Sequence, residues 1–208
     1  MSLLEYRYQK AEMTSEHSIF LLHGYGSSED DLFGFARYLP NNHHVFSLRA
    51  PYSTGMNGFA WYAISFDSDG TKWNDTKQAL DSVNLIFNEI HRLRKQYQLS
   101  GTISLIGFSQ GAILSLALAH HYPDAFSKIV ALSGYLNEEL SPDNQKKQSS
   151  AQFFMSHGTE DQVIPVEWAS YSAKRMTETG LDIQFKTYPT GHQIHPDNFK
   201  DLLAFIHQ

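Results

Sequence analysis

Residues 103–119 read ISLIGFSQGAILSLALA, which is an apolar stretch, a Gly-Phe-Ser-Gln-Gly turn and a second apolar stretch. The first stretch predicts a short strand over 103–106, of the kind that is buried on both faces of a parallel sheet. The second is apolar on nearly every side and predicts a buried helix over 112–119. The turn between them is therefore predicted to lead directly from a strand into a helix.

Ser109 lies in the middle of that turn. A serine lifted out on a sharp strand-to-helix turn adopts strained backbone angles, and the chain passes close to itself two residues to either side. Only very small side chains fit there, and the sequence has Gly107 and Gly111 at those two positions. The pattern predicts that Ser109 is a nucleophile. A glycine-rich turn that merely joins a strand to a helix is the alternative interpretation.

The rest of the chain alternates short apolar runs with helical patterns. Apolar residues recur at steps of three and four from about Asp75 to Tyr97, and Pro165 and Pro196 each open a further helical pattern. This alternation implies an α/β fold with a mostly parallel central sheet and helices on both faces, built as a single domain over residues 1–208. The polar segment 137–150 is predicted to be a surface excursion inside that domain. Further strands are predicted over 19–22, 45–48, 129–132, 153–155 and 183–187, and further helices over 165–178 and 196–205.

A second glycine-containing segment, His23-Gly24-Tyr25-Gly26, directly follows the strand predicted over 19–22. In an α/β-hydrolase the loop after an early strand donates one backbone N–H to the oxyanion of the reaction intermediate, and the residue after the nucleophile donates the other. Here these donors would be the amides of Tyr25 and Gln110. The flanking glycines let the backbone turn the Tyr25 amide toward the site. An ordinary turn is the competing interpretation.

An acidic residue is predicted to follow the strand over 153–155. A catalytic histidine needs a carboxylate that hydrogen-bonds one of its ring nitrogens. Glu160 and Asp161 both qualify chemically, and we prefer Asp161 because its side chain is shorter and more rigid. His157 precedes the acid, and we interpret it as a residue that orders the loop.

His192 follows the last predicted strand and precedes the final helix. A lone histidine in a loop is usually only solvated. The chain order changes this interpretation, because serine, aspartate and histidine follow in the order of an α/β-hydrolase triad, each after its own strand. His192 is therefore predicted to be the general base. His195 is the near alternative, although Pro196 suggests that it belongs to the start of a helix.

Composition excludes several other classes of function. The chain is 41% hydrophobic and 18% charged with a net charge of −6, which favours a packed globule and argues against a nucleic-acid partner. No cysteine is present, so disulfides and thiolate chemistry are excluded. The adjacent pairs His43-His44 and His120-His121 cannot both face one metal, and there is no phosphate-binding glycine pattern. We therefore predict no metal, no cofactor, no stable membrane insertion and a cytoplasmic location.

Taken together, these residues resemble the phospholipase/carboxylesterase family, which includes bacterial carboxylesterases and acyl-protein thioesterases. The resemblance implies an α/β-hydrolase fold with a minimal lid or none. It also implies a triad of Ser109, Asp161 and His192, with oxyanion donors on Tyr25 and Gln110. It covers nearly the whole length and runs through residues 22–26, 49–51, 60–62, 107–111, 157–158 with 161, and 191–192.

The activity implied by this resemblance is hydrolysis of a small-molecule ester or thioester without a cofactor, by a monomer or homodimer. Substrate contacts are expected from His23 and Gly24, and from Trp61 and Tyr62 as lining of the acyl pocket. A purely structural role of the two aromatic residues in the core is an equal alternative. Acyl transfer by the same triad is a rival function. A non-catalytic binding domain on a hydrolase scaffold is another, and it predicts a missing triad member.

Overall fold

The computed structural model describes residues 3–66, 72–141 and 149–208, which form one large sheet, two small hairpins and flanking helices. In chain order the elements are β1 (Tyr6–Gln9), β2 (His17–Leu22), β3 (His43–Leu48), β4 (Tyr52–Gly55), β5 (Gly58–Ala60), β6 (Ile64–Phe66), β7 (Lys72–Asn74), α1 (Thr76–Gln96), β8 (Ile103–Phe108), α2 (Gln110–His121), β9 (Lys128–Leu132), β10 (Gln152–Gly158), α3 (Val166–Glu178), β11 (Asp182–Tyr188) and α4 (Pro196–Ile206), with short 3-10 helices at Leu32–Tyr38 and Glu138–Leu140.

The large sheet has seven strands in the order β1-β3-β2-β8-β9-β10-β11. All six predicted strands belong to it and pair in parallel, while the edge strand β1 runs antiparallel to β3. The prediction of a mostly parallel sheet is therefore confirmed. Strand β1 and the hairpins β4–β5 and β6–β7 were not predicted. They are only three or four residues long, and β1, with the sequence YRYQ, has no continuous apolar run.

Helices cover both faces of the sheet, also as predicted. Side chains alternate between the faces along each strand, so Phe20 and Leu22 of β2 pack into a core formed with α1, α2 and α3. Ile19 and Leu21 point the other way, into a smaller core with α4 and the 3-10 helix Leu32–Tyr38. Strands buried on both faces explain why their sequences are apolar throughout.

The predicted helices differ from the observed ones mainly at their ends. Helix α1 is capped by Asp75, whose carboxylate accepts a hydrogen bond from the Gln78 amide at 2.9 Å. Helix α3 begins one residue after Pro165, which is the cap residue. Of the polar segment 137–150, the stretch 142–148 lies outside the described residues. Because residues 67–71 between β6 and β7 are also outside them, a minimal lid stays a prediction, as does a single domain over 1–208.

The parallel arrangement places four loops at one edge of the sheet. Strands β2, β8, β10 and β11 all end there, and the segments that follow them carry Tyr25, Ser109, Asp161 and His192. Side chains far apart in sequence thus meet at the carboxyl ends of parallel strands, which is where open α/β sheets bind their ligands. Among the described residues, none of the helices is both long enough and apolar enough to span a bilayer.

Candidate active site

Ser109 stands on a strained turn between β8 and α2. Its backbone has φ 54° and ψ −115°, a conformation that costs free energy for a residue with a side chain. The neighbours make this turn possible, because a Cβ on Gly107 would lie 2.2 Å from the Gly111 carbonyl oxygen, and a Cβ on Gly111 only 2.0 Å from the Leu22 carbonyl oxygen. Glycine is therefore required at both positions by the close approach of backbone to backbone.

We expect Gly111→Ala to destabilise the fold, because the added methyl group would meet main-chain atoms of β2, which cannot rotate away. Overpacking against atoms that cannot yield should cost about 3 kcal/mol or more, which for a chain of this size lowers Tm by roughly 10 °C. Gly34→Ala is the matched control, since a Cβ at Gly34 meets nothing within 4 Å. Thermal unfolding followed by circular dichroism measures both. Equal Tm values for the two variants would contradict this account of the turn.

Three of the predicted residues form a continuous hydrogen-bonded chain. The Nδ1 atom of His192 lies 2.7 Å from Asp161 Oδ2, and its Nε2 lies 2.9 Å from Ser109 Oγ. An ionised carboxylate only accepts hydrogen bonds, so Nδ1 carries the proton and donates it to Asp161. Nε2 is then free to accept the hydrogen bond of the Ser109 hydroxyl. This tautomer is the one that a proton-accepting histidine requires.

Asp161 is held as an ionised acceptor. Burial acts to raise the pKa of its carboxyl, but hydrogen bonds from the Ile164 amide, from His192 and from the Val163 amide outweigh burial and keep this pKa below its usual range. The two amides approach Oδ1 at 2.9 and 2.8 Å, while Oδ2 faces the imidazole. The carboxylate is therefore fixed in orientation by main-chain donors and stays charged near neutral pH.

The alternatives that the sequence left open occupy other positions. His157 is fully buried, and its Nε2 donates to the Ile164 carbonyl oxygen at 2.8 Å and lies 3.1 Å from Asp161 Oδ2, so it supports the loop that carries the acid. Glu160 is exposed, and the ring nitrogens of His192 bond to Asp161 and Ser109 and not to Glu160. His195 caps α4, where its Nδ1 accepts from the Asp197 amide at 3.2 Å.

Tyr25 and Gln110, the first residue of α2, both line the cavity beside Ser109. The main-chain amide of neither residue donates a hydrogen bond to any group in the described part of the chain. The loop that carries Tyr25 is held by Phe59, whose carbonyl accepts from the Gly26 amide and whose amide donates to Ser27, both at 2.8 Å. Unpaired amide donors can stabilise a negative charge that develops beside them, and the start of helix α2 adds to this effect at Gln110.

Among the residues predicted to contact substrate, His23 and Trp61 do not line the cavity, and for Trp61 this matches the structural role in the core that the sequence left as an equal alternative. Both are fully buried beneath the loop that carries Tyr25. The Nε2 of His23 accepts from the Ala50 amide at 3.1 Å, its Nδ1 donates to the Gly24 carbonyl at 2.7 Å, and the indole N–H of Trp61 donates to the His23 carbonyl at 2.9 Å. Burial lowers the pKa of His23, so the ring is neutral. The pair supports the loop from below.

Besides its main-chain amide, Gln110 contributes side-chain hydrogen bonds that the sequence did not predict. Its side-chain Oε1 accepts from the Trp61 amide at 3.0 Å, and its Nε2 donates to the Tyr62 carbonyl at 2.8 Å. A glutamine inside the serine turn could have indicated a polar contact at this point. Its partners could not be predicted, because they lie almost fifty residues away in sequence. Through this contact the backbone at 61–62 is tied directly to the residue after Ser109.

The cavity at Ser109 has a volume of about 310 Å³ and mostly apolar walls. Gly24 and Tyr62 border it, as the sequence predicted, and so do Ile113 and Tyr135, which the sequence did not indicate. Burial raises the pKa of Tyr62 far above its usual range, so its hydroxyl stays neutral. A pocket of this size and character suits an uncharged acyl group.

Comparisons with known proteins identify the family of this chain. Residues 7–208 match the family model described as Phospholipase/Carboxylesterase. Acyl-protein thioesterase 1 of Kluyveromyces lactis is 27% identical over 99% of this chain and 97% of its own length. The Aspergillus fumigatus protein of the same name is 36% identical over 50% of this chain and 46% of its own. The crystal structure of the Bacillus cereus carboxylesterase superposes with a TM-score of 0.82 at 20% identity, covering 99% of this chain and 94% of that one.

The family model extends over nearly the whole chain, and the carboxylesterase structure superposes on 99% of it. The resemblance inferred from the sequence motifs is thereby confirmed, together with the α/β-hydrolase fold. This chain is a carboxylic ester hydrolase that belongs to the phospholipase/carboxylesterase family.

Proposed function

We propose that the chain hydrolyses carboxylic esters or thioesters through an acyl-enzyme on Ser109, with His192 as general base and acid and Asp161 as the orienting carboxylate. One observation carries the proposal. It is the unbroken line of hydrogen bonds from Asp161 through His192 to Ser109, at 2.7 and 2.9 Å, beside an apolar cavity.

In the first half of the reaction the Ser109 oxygen attacks the carbonyl carbon while Nε2 of His192 takes its proton. The carbonyl oxygen becomes an oxyanion, which the free amides of Tyr25 and Gln110 stabilise. One such donor is typically worth about 3 kcal/mol in the transition state. The imidazolium that forms is stabilised by Asp161, which stays ionised.

In the second half the tetrahedral intermediate collapses and the bond from carbonyl carbon to leaving oxygen or sulfur breaks. The leaving atom takes the proton from His192. Water then attacks the acyl-enzyme with His192 again as base, which returns Ser109 and releases the acid. These steps need no group beyond the chain and water, so we propose that no cofactor or metal takes part.

The proposed substrate is a small-molecule ester or acyl compound, and thioesters are included because relatives of this chain bear the name acyl-protein thioesterase. Action in the cytoplasm, as a monomer or homodimer, remains a proposal from the sequence. The acidic net charge of −6 supports the absence of a nucleic-acid partner.

A fluorophosphonate probe tests the proposed nucleophile directly, since it reacts only with an activated serine. We expect one equivalent to attach to the peptide that contains Ser109, as measured by mass spectrometry. Ser133→Ala is the matched control, because Ser133 also follows a strand of the sheet with a positive φ of 52° but is not part of the hydrogen-bonded chain. Its labelling should equal that of the unsubstituted chain. A folded chain that stays unlabelled would overturn the proposal.

Ester hydrolysis is also expected to rise with pH. His192 must be neutral to accept the Ser109 proton, so protonation of this imidazole in acid should stop the reaction. The pKa of Asp161 lies below its usual range, so its carboxylate is already charged and the rise should report the imidazole alone. A plot of kcat/KM should climb about tenfold per pH unit on its acidic limb and then level off. A flat profile would contradict a histidine base.

A further inference from the structure

A second cavity, of about 270 Å³, adjoins the cavity at Ser109. Three residues line both cavities, namely Asp31, Phe108 and His192. The rings of Phe108 and His192 are 5.0 Å apart. The second cavity is completed by Leu32, Phe35, Gln193 and Ile194, so that its walls are mainly apolar.

The positions of the reacting groups place the acyl half of the ester in the first cavity and the leaving group in the second. The first cavity is lined by Ser109, which attacks the carbonyl carbon, and by Tyr25 and Gln110, the proposed donors to the carbonyl oxygen. The second borders His192 but not Ser109. Because His192 has to hand its proton to the leaving atom, the leaving group belongs beside the imidazole and away from the acyl chain. The second cavity is lined by His192 but not by Ser109, so it offers room for the leaving group when the acyl chain occupies the first cavity.

Asp31 is an exposed residue that lines both cavities and gives them a negative charge. Among the described residues that line either cavity it is the only aspartate or glutamate, and none is lysine or arginine. It precedes the 3-10 helix Leu32–Tyr38 without capping it through its side chain. Its carboxylate has no ion pair or hydrogen bond within the described part of the chain, unlike its neighbours Glu29 and Asp30, which pair with Arg49 and Arg7.

We propose that the second cavity is a leaving-group site for an alcohol or thiol that carries a positive charge on an apolar body, and that Asp31 is the residue that selects for the charge. The inference rests on the proposed function of Ser109 and His192. Phe35 and Phe108 offer aromatic rings, which attract organic cations, next to a carboxylate that has no cationic partner among the described residues. An anionic leaving group would be repelled by the same carboxylate.

The chemistry of the step is unchanged by the charge. The bond between the acyl carbon and the leaving oxygen or sulfur breaks, and that atom takes the proton from Nε2 of His192. The released alcohol or thiol keeps its positive group throughout. Asp31 exchanges no proton or electron, so it is a specificity-determining residue and not part of the proton transfer.

Three butyrate esters that differ only in the leaving group test this inference. Butyrylcholine carries a positive charge, 3,3-dimethylbutyl butyrate is its neutral isostere, and 2-sulfoethyl butyrate is anionic. Comparing Asp31→Asn with the unsubstituted chain on each ester cancels their different intrinsic reactivities. A carboxylate several ångströms from the charge predicts that Asp31→Asn lowers kcat/KM for butyrylcholine about tenfold, leaves the neutral ester nearly unchanged and raises the anionic one about tenfold.

Two controls keep the result specific. Asp182→Asn removes the same charge at the start of β11, at the end of the strand away from His192. Within the described part of the chain Asp182 accepts one side-chain hydrogen bond, from Gln152 at 3.3 Å, and its substitution should leave all three ratios unchanged. Added salt should weaken the charge preference of the unsubstituted chain. Equal effects of Asp31→Asn on all three esters would overturn the inference, as would an effect on charged acyl groups in place of charged leaving groups. If fluorophosphonate fails to label Ser109, the proposed function itself is at fault.

Discussion

Ser109→Ala is expected to lower kcat/KM for ester hydrolysis by about 10⁴-fold or more, because the variant lacks the oxygen that forms the acyl-enzyme. His192, Asp161 and the two free amides would remain, so a small residual rate above that of water is expected from the oxyanion donors alone. Hydrolysis of p-nitrophenyl butyrate by purified protein measures the effect.

The substitution should leave the fold intact. Ser109 Oγ makes its hydrogen bond to His192, and the strained φ of 54° is imposed by the turn and not by the hydroxyl. We expect Tm within a few degrees of the unsubstituted chain, and Ser133→Ala should keep full activity. If Ser109→Ala hydrolysed the ester at more than about one hundredth of the original rate, the acyl-enzyme mechanism would be wrong.

Asp161→Asn is expected to reduce kcat by about 10⁴-fold, through the tautomer of His192. The asparagine carbonyl oxygen would keep the hydrogen bonds from the amides of Val163 and Ile164, at the position where Oδ1 accepts them now. Its NH₂ group would then face Nδ1 of the imidazole and donate to it. The ring proton would move to Nε2, which could no longer accept a proton from Ser109.

Two measurements separate this effect from a general loss of negative charge. They are the stability of Asp161→Asn and the activity of a variant that lacks the neighbouring carboxylate. Since the main-chain donors stay paired, the folded state of Asp161→Asn should persist in circular dichroism. Glu160→Gln removes an exposed carboxylate one residue away and should retain activity within about twofold. A loss smaller than about tenfold in Asp161→Asn would mean that the carboxylate does not set the imidazole tautomer.

Much of this protein is determined by local sequence. The apolar runs of the six parallel strands and the periodicity of α1 depend on which faces are buried, and burial on both faces requires apolar residues throughout. The glycines around Ser109 have an equally local cause, because main-chain atoms occupy the space of a side chain. The order of Ser109, Asp161 and His192 along the chain was readable for the same reason: each follows the end of a strand.

Only the tertiary structure shows which residues line the cavities at Ser109 and His192 and which residues support the loops around them. Nothing in the local sequence places His23 and Trp61 under the Tyr25 loop, or ties Gln110 to the backbone at 61–62, because those contacts join segments that are distant along the chain. The division between two cavities at Asp31 has the same origin. A cavity is the space between elements packed from separate parts of the chain, so no single stretch of residues can specify its walls or its charge.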